Sequence, residues 1–155
     1  MILKEDSTEQ KLRGAYYTPL KLAEKMVDFF KKDASIKSIL EPSCGDGVFV
    51  DALVETQFLT KNRKVTAIEI EKNEAQKVAE KLKNNPNVSV VNGDFFEFYQ
   101  KYKDINKYDL ILGNPPYIRY QYLEEKQRME MAEILTSHGM KANKLINTWV
   151  GFIVA

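Results

Sequence analysis

The 155-residue sequence predicts an α/β fold, a doubly wound and mainly parallel sheet. Two observations lead there. Short apolar runs ("SIL", "KVTAIEI", "VSVVN", "YDLILGN") alternate with segments of helical periodicity, the pattern of strands buried between layers of helix. The first run also opens into a glycine loop, "EPSCGDG", and then a helix, which is the strand–loop–helix unit from which such sheets are wound.

In chain order, "YYTPLKLAEKMVDFFKK" offers Thr18 as N-cap and Pro19 as first helical residue. Leu22, Ala23, Met26, Val27 and Phe30 then share one helical face. A strand at 38–40 follows, then the glycine loop, then a helix through "VFVDALVETQF" with Val50, Leu53, Val54 and Gln57 at helical spacing. Strand 64–70, helix 73–85, strand 88–92 and strand 108–114 continue the alternation. Two more helices are expected, around 123–136 and from about 143 onward. The second is apolar nearly all round (Trp149, Val150, Phe152, Ile153, Val154), which predicts burial on several sides. Doubly wound topology places the 108–113 strand beside the 38–40 strand. With no further strand after it, that edge is left apolar and open to self-association or to a partner.

Composition narrows the function. Lys and Arg total 23 against 22 Asp and Glu, a net charge of +1, so no global basicity announces a nucleic-acid partner. One cysteine, Cys44, and one histidine, His138, make a disulfide framework, a metal centre or a histidine-based triad poor readings. Neither a signal peptide nor a membrane-length apolar segment is visible, so a cytoplasmic protein with no membrane contact is expected.

The chemistry gathers at the ends of the strands. "EPSCGDGVF" lacks the third glycine of a dinucleotide fingerprint, since that position is Val50. Glu41 and Asp46 would repel a pyrophosphate but suit a cationic ligand such as a sulfonium amino acid. Glu69 ends the second apolar run 22 residues after Gly47, where an acid takes ribose hydroxyls in folds of this kind. Asp94 is a candidate acceptor for an adenine amine and Phe95 a face for its ring, while Phe96 and Phe98 read as core.

The last strand ends in "NPPY". Pro115 holds Asn114 out of helical geometry and Pro116 does the same to Pro115, so the turn is extended and stiff. The Asn114 side-chain oxygen and the Pro115 carbonyl can accept both hydrogens of a planar amino group. That aims the nitrogen lone pair at an electrophile and stabilises the charge that develops. Tyr117 supplies a stacking face.

In this order, "GAYYTP", "EPSCGDGVF", "AIEIE", "NGDFF" and "DLILGNPPYIRY" resemble the S-adenosylmethionine-dependent DNA adenine-specific methyltransferases of restriction-modification systems, in the gamma-type order. The resemblance implies a Rossmann-like methyltransferase sheet, S-adenosyl-L-methionine as cofactor and no metal. By position it puts Tyr17 and Thr18 near the methionine end. Glu41, Pro42, Gly45 and Gly47 fall along the loop, Glu69 and its neighbour Ile70 at the ribose, and Asp94 with Phe95 at the adenine. Asn114, Pro115, Pro116 and Tyr117 become the catalytic set, acting on an adenine flipped out of the duplex. Complete members continue into more strands and a target-recognition domain. Residues 1–155 are therefore expected to be the N-terminal part of a catalytic domain, truncated after the fourth strand and its helices, with DNA bound largely through segments or subunits outside it and little activity alone.

Three readings stay open beside this one: methylation of protein glutamine, methylation of an RNA base amine, and a non-catalytic cofactor-binding remnant or split subunit. Cys44 reads as a small residue in a tight turn and His138 as a helix-end residue. Arg119, Arg128, Lys141 and Lys144 read as solvated surface charge.

Overall fold

The computed structural model of the protein describes residues 17–119, 122–141 and 147–155. "GAY" of the "GAYYTP" motif, Tyr120 and Lys144 lie outside them. Two compact units divide the chain, one of residues Tyr17–Asn114 and one that includes Pro115–Ala155.

In the first unit, helix α1 (Leu20–Asp28) precedes β1 (Ser38–Glu41), α2 (Val48–Glu55), β2 (Lys64–Glu69), α3 (Lys72–Lys81), β3 (Val88–Asn92), α4 (Phe95–Tyr102) and β4 (Leu110–Ile111). The strands form one sheet in the order β3-β2-β1-β4, parallel throughout. The predicted neighbour relation of the first and fourth strands holds, with Ile39 opposite Leu110 and Leu40 opposite Ile111. One core lies between sheet and helices: Ala23 and Val27 of α1, Phe49, Val50, Ala52 and Leu53 of α2, and Ile39, Val65 and Ala67 of the strands. Full burial of such aliphatic and aromatic side chains contributes about 1.5–3 kcal/mol each.

Several local expectations are corrected. Pro19, with extended backbone, is itself the N-cap of α1, and Thr18 makes no cap. Leu22 stands half exposed, because only Ala23 and Val27 are fully buried under this two-turn helix. Gln57 lies beyond α2 with a left-handed φ of 57°, so it ends the helix and does not extend its apolar face. β4 pairs over two residues, with Leu112 adding one more bond through its N–H to the Leu40 carbonyl at 2.9 Å. It is not buried on both faces: Leu110 and Leu112 point into the core, while Ile111 is 58% exposed at the sheet edge. Helix α4 adds an element that the apolar runs alone do not mark. Asp94 caps it, accepting from Phe96 N at 2.7 Å and Glu97 N at 3.4 Å.

Two polar devices hold the loops opposite the strands' C-terminal ends. The Arg63 guanidinium, 8% exposed, donates to the carbonyls of Ile36, Phe58 and Asp33 and sits 4.1 Å above the Phe58 ring. Asp109 ties the start of β4 to β1: its Oδ2 accepts from the N–H groups of Lys37 and Ser38 at 2.8 Å and from Ser38 Oγ at 2.9 Å.

In the second unit, α5 (Glu125–Ser137) and α6 (Thr148–Val154) pack together. Met131, Ile134 and Leu135 are buried along α5, and His138 caps it as expected, Nδ1 lying 2.9 Å from the Ile134 carbonyl. The expected burial of the last helix on several sides is not found. Thr148 and Gly151 are buried, whereas Trp149 is 40% and Ile153 70% exposed. Small residues on one stripe let α6 lie close, and residues four apart on the other side face water. Among the described residues no helix is long and apolar enough to cross a membrane.

The amide hydrogen bonds to Asp109 hold its carboxyl below the ordinary aspartate range. The folded state thus binds this proton less tightly than the unfolded chain. The contribution to stability is complete above the unfolded pKa and is lost as pH falls through the folded one. Asp109→Asn should lower stability at neutral pH, with the gap to wild type closing below about pH 4; urea unfolding at a series of pH values measures it.

Candidate cofactor and substrate site

β1 and β4 are adjacent, but the chain leaves β1 towards β2 on one side and β4 lies on the other. The segments following the two strands therefore diverge at their C-terminal ends, which is where open α/β sheets bind ligands. The turn after β1 is tight: Gly47 N–H donates to the Cys44 carbonyl at 2.8 Å, and Cys44 N–H donates across to the Ile68 carbonyl of β2, also at 2.8 Å. Gly45 and Gly47 hold left-handed φ values of 54° and 85°, which explains why those positions are glycine. A β-carbon on Gly47 would also meet both Val78 methyls of α3 at 3.0 and 3.1 Å. Lys81 of α3 braces the same turn, its Nζ donating to the Asp46 carbonyl at 3.2 Å and to Asp51 Oδ2 at 2.8 Å.

Glu69 lies where the sequence places it, at the end of β2, and its carboxylate is engaged. Oε2 accepts from Gly45 N–H at 2.7 Å and Oε1 from Glu71 N–H at 2.8 Å. A carboxylate oxygen can accept more than one hydrogen, so these bonds orient the group without using all its acceptor capacity. Ile70 next to it is 55% exposed. β3 ends alongside, since Gly93 N–H and Asn92 Nδ2 both donate to the Glu69 carbonyl at 2.9 Å. The Asp94 cap of α4 follows directly. Phe95 and Phe96 are buried and tilted together at 5.6 Å, while Phe98 is half buried and packs on Tyr102 at 4.7 Å.

Glu41 is the least expected group. It ends β1 only 1% exposed, and its Oε2 has no hydrogen-bond partner, nor has Ser43 Oγ two residues on. Burial pushes its carboxyl well above the ordinary range, and Asp46, Asp51 and Glu69 push in the same direction. Tyr17 reports the same acidic surroundings, its hydroxyl pKa raised first by burial and then by Glu74, Asp46 and Glu69. The Tyr17 ring lies over the loop, with Cε1 3.6 Å from where a β-carbon of Gly45 would stand. Cys44 is buried and its thiol pKa is pushed up by burial, so it is no nucleophile.

Asn114 closes the first unit. Its Nδ2 donates to Thr18 Oγ1 at 3.3 Å. Before it comes a residue that sequence reasoning passed over: a β-carbon on Gly113 would stand at ordinary contact distance, 3.4 Å from Pro42 Cδ and 3.6 Å from Glu41 Cγ. The signal was present as a glycine inside an apolar strand, a mark of close backbone approach. In the second unit, Pro115 and Pro116 are half buried and Tyr117 is 48% exposed. Thr148, also missed, pins the segment beyond them: its N–H and its Oγ1 both donate to the Ile118 carbonyl, at 2.8 and 2.7 Å.

Residues 8–154 match the model of the Eco57I restriction-modification methylase family, and the chain belongs to that family. It is 31% identical over 128 residues to the type II methyltransferase M.HincII of Haemophilus influenzae, covering 83% of this chain and 22% of that protein. With M.AccI of Acinetobacter calcoaceticus the identity is 29% over 97% of this chain and 26% of the relative. The chain thus spans about a quarter of the length of these relatives. In structure it resembles the modification subunit of a putative type I restriction enzyme from Vibrio vulnificus. The TM-score there is 0.55 at 20% identity, covering 83% of this chain and 32% of that one, and it establishes the Rossmann-like methyltransferase fold.

Two outcomes test this geometry. Gly47→Ala must place a side chain at a left-handed φ against Val78, and should cost roughly 2–4 kcal/mol in thermal or urea unfolding. Glu41→Gln should act oppositely on the ligand-free protein. Glu41 binds its proton more tightly folded than unfolded, so its contribution is greatest below about pH 4.5 and is lost as pH rises towards the folded value. The variant should melt higher than wild type at pH 7–8, with the difference shrinking towards pH 4.

Proposed function

We propose that the protein transfers a methyl group from S-adenosylmethionine to the exocyclic amine of adenine in DNA. The observation that carries this reading is the juxtaposition of an acidic glycine loop with the asparagine of "NPPY", since a β-carbon on Gly113 would reach Glu41 and Pro42. Family membership supports methyl transfer, and relatives named as type II methyltransferases favour DNA over protein glutamine or an RNA amine.

The residues present suit this cofactor. A buried, unpartnered carboxyl oxygen on Glu41 beside the unpartnered Ser43 hydroxyl lacks the donors that a ligand ammonium would bring. The negative surroundings of Tyr17 favour a ligand cationic at sulfur and nitrogen. When bound, the cofactor supplies an electrophilic methyl on a sulfonium centre, the electron pair of the broken C–S bond remaining on sulfur. In this reading Tyr17 and Thr18 serve its methionine end, and Glu41, Pro42, Gly45 and Gly47 line the loop. Glu69 accepts the ribose hydroxyls beside Ile70, and Asp94 with Phe95 takes the adenine.

Asn114 Oδ1 and the Pro115 carbonyl accept the two hydrogens of the target amine. Pro115 and Pro116 keep that pair of acceptors rigid, so the nitrogen lone pair turns away from them and the positive charge growing on nitrogen is stabilised. The surplus proton leaves to solvent afterwards, and no general base is needed. Tyr117 stacks on the base, worth about 1–3 kcal/mol. The base must be flipped out of the duplex first.

Residues 1–155 act in this reading as the N-terminal part of the catalytic domain of a cytoplasmic enzyme, with sequence-specific DNA contacts in the length of the relatives that this chain does not span. The β4 edge, where Ile111 is exposed, pairs with a further strand or a partner.

The test uses the full-length protein carrying this sequence, labelled S-adenosylmethionine, and unmethylated DNA, transfer RNA and protein as acceptors. Label should enter DNA as N6-methyladenine, and Asn114→Ala should slow transfer by about 100-fold or more at saturating cofactor. Undiminished transfer by the variant, or label on another acceptor, would sink the reading.

A further inference from the structure

Asn114 can act as an acceptor only if its amide presents oxygen and not nitrogen to the substrate, and a planar amide with two ends of similar size does not choose by shape. The choice needs a partner at the other end. The geometry points to Thr18 as that partner: we infer that Thr18 is a positioning residue that sets the orientation of the Asn114 amide.

Three observations support it. Asn114 Nδ2 donates to Thr18 Oγ1 at 3.3 Å, across 96 residues of sequence. With nitrogen turned to Thr18, Oδ1 is necessarily at the opposite end of the group. Second, the Thr18 hydroxyl is not spent on the helix that follows it, since Pro19 caps α1 and no side chain caps that terminus. A threonine two residues before a helix would ordinarily be explained by capping, and here that explanation fails. Third, Tyr17 and Thr18 are consecutive in non-helical chain, yet the Tyr17 ring lies over Gly45 while the Thr18 hydroxyl reaches Asn114. One short segment therefore touches both the glycine loop and the amide.

The bond is long for N–H···O, as catalytic hydrogen bonds often are before substrate is present. Its value lies in selection. Flipping the amide would put an N–H donor against the N–H donors of the target amine, so the flipped form cannot accept them. Oγ1 accepts the amide hydrogen when its own proton turns away from Nδ2, and that is the arrangement found, so the bond holds the amide with oxygen at the opposite end. The inference rests on the reading of Asn114 as the amine acceptor, and the test separates the two.

Thr18→Val keeps the shape and removes the acceptor; Thr18→Ser restores it. In the full-length protein, Thr18→Val should lower kcat by about tenfold, a loss that saturating S-adenosylmethionine does not restore, and Thr18→Ser should recover most of it. In the ligand-free protein, labelled at asparagine, the Asn114 side-chain amide signals should shift in Thr18→Val and return in Thr18→Ser. Unshifted amide signals, an unchanged kcat, or a loss that extra cofactor removes would each overturn the positioning role. The amide signals are read without turnover, so they stand whether or not Asn114→Ala abolishes methylation.

Discussion

Strand β1 lies between two parallel neighbours, and this pairing governs what can happen at its C-terminal end. Bonded to β2 on one side and β4 on the other, β1 delivers Glu41 into a crowded corner where the glycine loop, the end of β2 and the approach to Asn114 meet. Glycines fill the corner, and at Gly47 a side chain would crowd Val78. Gly45 and Gly47 turn with left-handed backbone, and Gly113 runs against Glu41 and Pro42. The loop is then closed by backbone groups, through Cys44 to Ile68 and Gly45 to the Glu69 carboxylate. Asp109 performs the matching service at the other end of β1, where it ties β4 into register.

The corner so built is electrostatically unfavourable to itself. Glu41, Asp46, Asp51 and Glu69 lie close enough to act on one another, Lys81 offsets this in part while bonding Asp51 and the Asp46 carbonyl, and burial with like charge pushes the Glu41 carboxyl well above the ordinary range. A buried polar atom without a partner costs stability in the free protein and is an interaction in reserve for a ligand that brings donors. Function of this kind sits where folding would prefer an apolar residue.

Much of the candidate site was legible because its determinants are local. A glycine loop after an apolar run, an acid ending the next run, and an amide with two prolines ending the fourth are each defined by a few adjacent residues. The place of the fourth strand beside the first followed from the doubly wound topology that the alternation of elements implies. What was misread depended on distant partners. Thr18 looks like a helix cap, and only the fold brings Asn114 to its hydroxyl. Leu22, Trp149 and Ile153 look like core, but short helices present just one stripe inward. Helix α4 was signalled by Asp94 and Glu97 in capping positions, a cue that the aromatic run around it obscures. Arg63 carries no local cue to its role, and only the fold surrounds it with three carbonyls and the Phe58 ring.

By itself the sequence determined the local features on which the proposed chemistry rests: an amide followed by two prolines, an acidic glycine loop, and the order of motifs that marks the family. Those properties belong to residue types at short spacing, which no packing can alter. Only the tertiary structure decided which groups are engaged. It bound the Glu69 carboxylate to two amides, left Glu41 buried without a partner for Oε2, and turned the Asn114 nitrogen towards Thr18. Hydrogen bonds between residues 24 or 96 positions apart exist only once the sheet has set its register, and the sequence carries no mark of them.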